Sequence, residues 1–183
     1  MIAILAALVL SATPAAAPVS QNLTDAELSD RVDAYLRTID EPVTPDEWRA
    51  LGPKAIPLLE GIAADPRALP TTRAQALWAL IYLEGARASQ VLRRAAQEES
   101  LPLSVRLAGV RGLAAVTPPE TLEQTLRPVL EGANDARVRA VAAERLVKNG
   151  TGNSCELVRA RAAVEDANGK ALLAPAIEAC GAR

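Results

Sequence analysis

Apolar residues recur with a helical period in three segments of the chain that are spaced 33 residues apart. TTRAQALWALI begins at residue 71, SVRLAGVRGLA at residue 104 and RVRAVAAERLV at residue 137. Within each segment the apolar residues are three, four and seven positions apart, which places them on one face of a helix. The corresponding positions are Leu77, Val110 and Ala143, then Leu80, Leu113 and Leu146, and the small residues Ala76, Gly109 and Ala142. The pattern predicts three equivalent helices, and the small residues predict close contact with neighbouring helices.

A second amphipathic stretch precedes each of these segments. Leu58 and Leu59 correspond to Val91 and Leu92 at the same 33-residue interval, and the third copy, within residues 122–130, is slightly shifted. Turn-forming residues separate the two stretches in each copy. The repeating unit is therefore a helix, a short turn and a helix. Because one such hairpin cannot bury both of its faces, the copies are expected to stack into a solenoid.

The two ends of the repeat region depart from this pattern. Thr24 with Glu27, and Thr44 with Glu47, match the capping box that begins a helix, so we assign residues 24–51 to N-terminal capping helices. The repeat solenoid then occupies residues 52–183. Residues 155–180 form a weaker hairpin without the repeated arginine, which is typical of a terminal capping unit.

The chain begins with a short apolar segment that predicts export. Residues 2–10 are too few to span a bilayer, and small residues follow them. We assign residues 1–17 to a signal peptide, with Ala15 as a second cleavage position, and residues 18–23 to a linker. The protein would then be periplasmic or extracellular, without stable membrane insertion after the signal is removed. The alternative is an N-terminal tail that is disordered or touches a membrane.

Composition narrows the fold class and the chemistry. Half of the residues are hydrophobic but only 2% are aromatic, and the chain has no Phe and no His, which favours an all-α protein. A net charge of −2 provides no field that would attract nucleic acid. Two cysteines without histidine cannot complete a zinc site, and no phosphate-binding loop or Ser-His-Asp set is present. We therefore predict no catalytic residue, no metal and no cofactor.

The repeated segments resemble a known repeat family. LGPKAIPLLEGI followed by TTRAQALWAL, then SVRLAGVRGLAAV and ARVRAVAAERLV, are similar to the short bacterial HEAT-like repeats of the phycobilin lyase type. The resemblance covers about residues 43–150 and extends weakly to 180. It implies a short right-handed α-solenoid of antiparallel helix pairs. It implies little about activity, because such repeats occur in lyases, scaffolds and exported proteins.

One arginine recurs at the start of each repeated segment. Counting eight residues back from these arginines gives an acidic residue each time, and the pairs are Arg73 with Asp65, Arg106 with Glu98, and Arg139 with Glu131. The resemblance implies that such residues link adjacent repeats through hydrogen bonds and ion pairs, as a structural arginine ladder. The alternative is a basic stripe that binds an anionic ligand.

The two cysteines lie at opposite ends of the last hairpin. Cys155 opens its first helix and Cys180 closes its second, so antiparallel packing brings them side by side. In an oxidising compartment this arrangement predicts a disulfide. The alternative is two unpaired buried thiols.

Two aromatic residues are candidates for binding a partner protein. Trp78 and Tyr82 are four residues apart on one helix face, and Arg111 and Glu144 occupy the positions equivalent to Trp78 in the next two repeats. Aromatic residues flanked by charge often anchor protein interfaces. The alternative, which the scarcity of large side chains favours, is that Trp78 and Tyr82 are buried against residues 24–51. Trp48 is expected in the core.

These observations predict a non-enzymatic interaction or scaffold module, exported and monomeric, with another protein as its partner. Repeat folds present extended surfaces without a built-in pocket, which favours this class. One alternative is an enzyme of the phycobilin lyase kind or another HEAT-repeat enzyme. A further alternative is a permanent structural subunit of an envelope assembly.

Overall fold

The computed structural model describes residues 23–38, 42–83, 85–151 and 153–181, and within these ranges the chain contains helices and no strands. The all-α prediction is therefore confirmed. The signal peptide predicted at residues 1–17, and the linker apart from Leu23, lie outside the described residues. The helices are α1 (Asp25–Arg37), α2 (Pro45–Leu51), α3 (Ala55–Ala64), α4 (Pro70–Ala79), α5 (Ala86–Gln97), α6 (Leu103–Val116), α7 (Pro119–Gly132), α8 (Ala136–Asn149), α9 (Ser154–Ala163) and α10 (Ala167–Gly181). A 3₁₀-helix, Leu80–Tyr82, directly follows α4.

Both N-terminal helices begin with the capping boxes that the sequence predicts. The Thr24 hydroxyl accepts a hydrogen bond from the Glu27 backbone N–H, and the Glu27 carboxylate accepts one from the Thr24 N–H at 2.8 Å. Thr44 and Glu47 make the same exchange, with 2.7 Å between the Thr44 nitrogen and the Glu47 carboxylate. Each box satisfies backbone donors that have no partner inside the helix, and it thereby fixes where the helix starts.

The remaining helices pack as consecutive pairs. Contacts join α3 with α4, α5 with α6, α7 with α8, and α9 with α10. The second helices of the pairs also contact one another in order, α4 with α6, α6 with α8, and α8 with α10. The helix α1 packs against α3 and α4, and α2 packs against the 3₁₀-helix. One hydrophobic core therefore continues from the N-terminal helices to the last hairpin.

A close helix contact occurs at Gly109, a position where each repeat has a small residue. A Cβ atom built on Gly109 of α6 would lie 2.6 Å from the backbone nitrogen of Ala96 and 2.8 Å from the carbonyl carbon of Ala95 in α5. The equivalent residues Ala76 and Ala142 are fully buried. Small side chains at this position thus allow the helix backbones to approach.

The last hairpin is closed by its two cysteines. Cys155 lies in the first turn of α9 and Cys180 in the last turn of α10, and their Cα atoms are 5.7 Å apart in a disulfide. The predicted pairing is confirmed. None of the helices in the described ranges combines the length and the apolar character needed to cross a membrane.

Candidate functional site

A groove of about 920 Å³ lies between the N-terminal helices and the second helices of the first two pairs. Its walls come from α1, α2, α4, the 3₁₀-helix and α6. The side chains that form the walls of α4 and α6 are Ala74, Gln75, Trp78, Ala79, Ser104, Leu107, Ala108 and Arg111. Among these residues Gln75, Trp78 and Arg111 lie on a different stripe of α4 and α6 from Leu77 and Leu113, which are buried in the core.

All four aromatic residues of the chain line this groove. They are Tyr35, Trp48, Trp78 and Tyr82, and the chain has no phenylalanine. Trp48 is buried, and its ring meets that of Tyr35 edge to face, with 5.2 Å between the ring centroids. Trp78 is 46% exposed, whereas Tyr35 and Tyr82 are partly buried. Aromatic side chains are enriched at the centres of protein interfaces, so this surface has the composition of a binding site.

The prediction that Trp78 is buried against the N-terminal helices is wrong. The N-terminal helices place Trp48 against Tyr35, so these helices border the groove without covering Trp78. Trp78 is one of three large hydrophobic side chains exposed among the described residues, with Leu69 and Val164. Tyr82 is partly buried and also lines the groove.

Arg111 is the only charged residue among the described residues that line the groove. Its side chain is partly buried on α6, and within the described ranges it forms no hydrogen bond or ion pair. A guanidinium carries five N–H donors, and those of Arg111 have no acceptor among the described residues. Arg111 is therefore available for an anionic group that enters the groove.

Three of the four predicted partner-binding residues meet in this groove. Trp78, Tyr82 and Arg111 line it, whereas Glu144 lies on α8, exposed, and pairs with Arg145 at 3.5 Å. Tyr35 and Trp48 also line the groove, although the sequence pattern predicts neither as a groove residue and places Trp48 in the core.

The three arginines of the ladder are buried, each no more than 8% exposed. Arg73 Nε donates to the carbonyl of Ala63 at 2.8 Å. Arg106 forms a bidentate pair with Glu99, with nitrogen–oxygen distances of 2.8 and 3.0 Å. Arg139 forms a bidentate pair with Glu165 and also donates to the carbonyls of Ala133 and Asn134.

None of the three predicted acidic residues forms a hydrogen bond or ion pair with its ladder arginine among the described residues, although the charge of Arg73 lowers the pKa of Asp65 and the charge of Arg106 lowers the pKa of Glu98. Asp65 accepts a hydrogen bond from the Arg67 backbone N–H at 2.9 Å, and Glu98 accepts one from the Ser100 hydroxyl at 2.7 Å. Glu131 lies 3.4 Å from Arg127 on its own helix. Two of the predicted acids stand at the C-terminal ends of α3 and α5, and their carboxylates bond to the turn that follows. These local bonds lower the pKa of Asp65, chiefly through the Arg67 N–H, and the pKa of Glu98, chiefly through the Ser100 hydroxyl.

Links between neighbouring hairpins are nevertheless present, and other acidic residues make them. Glu99, the partner of Arg106, also accepts the backbone N–H of Asn134 at 3.1 Å, which joins the α5–α6 turn to the α7–α8 turn. Glu165 lies in the turn between α9 and α10 and pairs with Arg139 of α8, and the Glu165 side chain is 3% exposed. Hydrogen bonds from Arg139 hold the pKa of Glu165 at about 2 against the opposing effect of burial, and Arg161 lowers it further.

The residues described by the structure offer no group of three or more Cys, Asp or Glu side chains that is arranged to hold a metal ion. No family model, no curated protein and no solved structure matches this chain.

Proposed function

We propose that this chain is a non-enzymatic interaction module that binds another protein in the aromatic groove. The observation that carries the proposal is the gathering of all four aromatic residues of the chain in one groove, with Trp78 46% exposed. An aromatic side chain can bury about 150–250 Å² on contact, so a partner that covers Trp78 gains much of the apolar area needed for binding.

The proposed architecture is a short right-handed α-solenoid of HEAT-like helix pairs. The ordered contacts of α4 with α6, α6 with α8 and α8 with α10 support it, because equivalent helices meet at each step of the 33-residue period. Stacked hairpins of this kind leave one stripe of every second helix outside the core, and such stripes form extended binding surfaces.

The proposed location is outside the cytoplasm, in the periplasm or the extracellular space. The Cys155–Cys180 disulfide supports it, since disulfides persist in oxidising compartments. A signal peptide over residues 1–17 would be the export signal, and the exported chain would act as a monomer. A permanent subunit of an envelope assembly differs in that it would elute as a stable oligomer in size-exclusion chromatography with light scattering. A HEAT-repeat enzyme of the phycobilin lyase kind would instead hold a small molecule in the groove.

The test is photo-crosslinking from within the groove in the native host. Benzoylphenylalanine replaces Gln75, which lines the groove, or Gln90, an exposed glutamine on α5 that serves as the matched control. We expect a discrete protein adduct at position 75 and none at position 90. An excess of wild-type protein should suppress the adduct, and an excess of Trp78→Ala protein should not. Equal adducts at both positions, or equal competition by both proteins, would contradict the proposal.

A further inference from the structure

Arg111, the single charged side chain among the described residues of the groove, indicates the charge of the occupant. Among the described arginines, Arg111 is the one that is partly buried yet has neither a carboxylate nor a carbonyl acceptor. Arg145 and Arg161, which are also partly buried, both pair with glutamates. Among the described residues that line the groove there is no Asp or Glu. An occupant with one negative charge would pair with the guanidinium through charge-assisted hydrogen bonds.

The position of Arg111 indicates a side-chain carboxylate rather than the C-terminus of a peptide. Arg111 is the ninth of the 14 residues of α6, where backbone N–H groups bond within the helix. Capture of a chain terminus characteristically uses a nest of free backbone N–H groups, and the middle of a helix provides none. A guanidinium alone is well matched to the two oxygens of an Asp or Glu side chain.

The rest of the groove favours an extended segment rich in proline. Aromatic-lined grooves bind polyproline II segments, because proline rings pack flat on aromatic faces and the segment is already ordered before binding. Such a segment has no internal hydrogen bonds, so its backbone carbonyls need donors. Gln75 and Ser104 are exposed at the groove and carry donors of this kind, one on α4 and one on α6. A helical peptide would have few free carbonyls for them.

We infer that the groove binds an extended, proline-rich segment of a partner protein, and that Arg111 pairs with an acidic side chain of that segment. The inference rests on the proposed function, because it names the chemistry of the partner that the groove is proposed to bind. Trp78 and Tyr82 supply the apolar contact, and Arg111 supplies the selection for charge.

The first experiment selects the ligand without bias. Random twelve-residue peptides displayed on phage are selected on the immobilised full chain, after removal of phage that bind the Trp78→Ala variant. We expect the enriched sequences to contain proline together with Asp or Glu. Enrichment of amphipathic helical sequences, of sequences without an acidic residue, or of no sequence at all would overturn the inference.

The second experiment tests the pairing directly. The best enriched peptide is synthesised with blocked termini, in its acidic form and with the acid replaced by the corresponding amide or by Lys. Tryptophan fluorescence measures the affinity of each for wild type, Arg111→Gln and Arg111→Glu. We expect the amide peptide to bind wild type about tenfold more weakly than the acidic one, and Arg111→Glu to prefer the Lys peptide. The control variant is Arg93→Gln, an exposed arginine on α5 outside the groove, which should change nothing.

The outcomes separate this inference from the proposed function. If the three peptides bind wild type equally, or if Arg111→Glu keeps the wild-type preference, the acidic pairing is wrong while the groove crosslink at position 75 can still succeed. If that crosslink fails, the proposed function itself is wrong. Circular dichroism melting of each Arg111 variant establishes that a change in affinity is not a change in folding.

Discussion

The replacement Glu165→Gln tests whether the buried ion pair between the last two hairpins stabilises the fold. The Glu165 carboxylate accepts hydrogen bonds from Arg139 and, at 2.8 Å, from Arg161, and its side chain is only 3% exposed. Glutamine keeps the size and one acceptor oxygen of glutamate, but it removes the charge. The variant therefore isolates the electrostatic contribution from the packing.

The magnitude follows from the pKa of the carboxyl group. Hydrogen bonds from Arg139, opposed by burial and supported by Arg161, hold the pKa of Glu165 at about 2, against 4.5 as the ordinary value. Each pKa unit corresponds to about 1.4 kcal/mol, so the ionised group contributes about 3 kcal/mol to the free energy of unfolding. Because the folded-state pKa lies below the unfolded-state value, this contribution is complete above pH 4.5 and is lost as the pH falls to about 2.

The assay is urea denaturation between pH 7 and pH 2 with the disulfide intact. We expect Glu165→Gln to be less stable than wild type by about 3 kcal/mol at pH 7, and the difference to shrink toward zero near pH 2. The control is Glu178→Gln, an exposed glutamate on α10, which should follow wild type at every pH within about 0.5 kcal/mol.

Two results would refute this reasoning. A destabilisation of the same size at every pH would mean that the introduced glutamine side chain disturbs packing and that the charge contributes little. No destabilisation at pH 7 would mean that the cost of burying Glu165 cancels the attraction of the two arginines, as happens in some buried ion pairs.

Three further predictions concern the disulfide, the helix contacts and the groove. Replacing both Cys155 and Cys180 by Ser should lower the free energy of unfolding by about 3 kcal/mol, because the disulfide closes a loop with a separation of 25 residues; an unchanged urea midpoint would contradict this. Gly109→Ala should destabilise by about 2 kcal/mol because its Cβ meets the α5 backbone, whereas Gly61→Ala, with open space around its Cβ, should stabilise by roughly 0.5–1 kcal/mol; equal melting temperatures for the two would be inconsistent with the packing. Trp78→Ala should weaken binding of the selected peptide by about 2 kcal/mol while its unfolding free energy changes by less than about 1 kcal/mol, and the reverse pattern would show that Trp78 serves the core.

The sequence pattern was sufficient to predict where the helices begin and which face is buried, because both depend on residues only a few positions apart. The capping boxes at Thr24 and Thr44 depend on residues three positions apart, and the structure places both helix starts where those residues predict them. The apolar period likewise identifies Leu77 and Leu113 as core residues, since a helix fixes which positions share a face.

The acidic partners of the ladder arginines could not be predicted from positions along the chain. Counting along the chain selected Glu98 for Arg106, but Glu98 bonds to Ser100 and the neighbouring Glu99 reaches the arginine instead. Adjacent residues in a turn point their side chains in different directions. The apolar period of the helices does not indicate which of the two glutamates faces the arginine. Glu165 is 26 residues from Arg139, so its role depends on how the last hairpin docks.

The part of the groove that comes from the repeats could be predicted from the sequence, and the part that comes from the N-terminal helices could not. Trp78 and Arg111 occupy equivalent positions of consecutive repeats, so the period itself brings them side by side on α4 and α6. Tyr35 belongs to a helix outside the repeats, and no spacing along the chain predicts that it lines the same groove as Trp78. Glu144 does not line this groove, because the groove is bordered by the N-terminal helices, α4 and α6, and no residue of α8 lines it.

The repeat itself separates the residues that build the fold from those available for function. The positions of Arg73 and Leu80 keep the same residue in the next two copies, because each copy must meet its neighbour in the same way. The position of Trp78 becomes Arg in the second copy and Glu in the third, although it belongs to the same helices. Packing between copies would restrict that position if it faced the core, and the structure instead leaves Trp78 at the groove and Glu144 in solvent. The positions where the repeat is not uniform are therefore free to determine what the module binds, and we expect substitutions there to change the choice of partner without unfolding the chain.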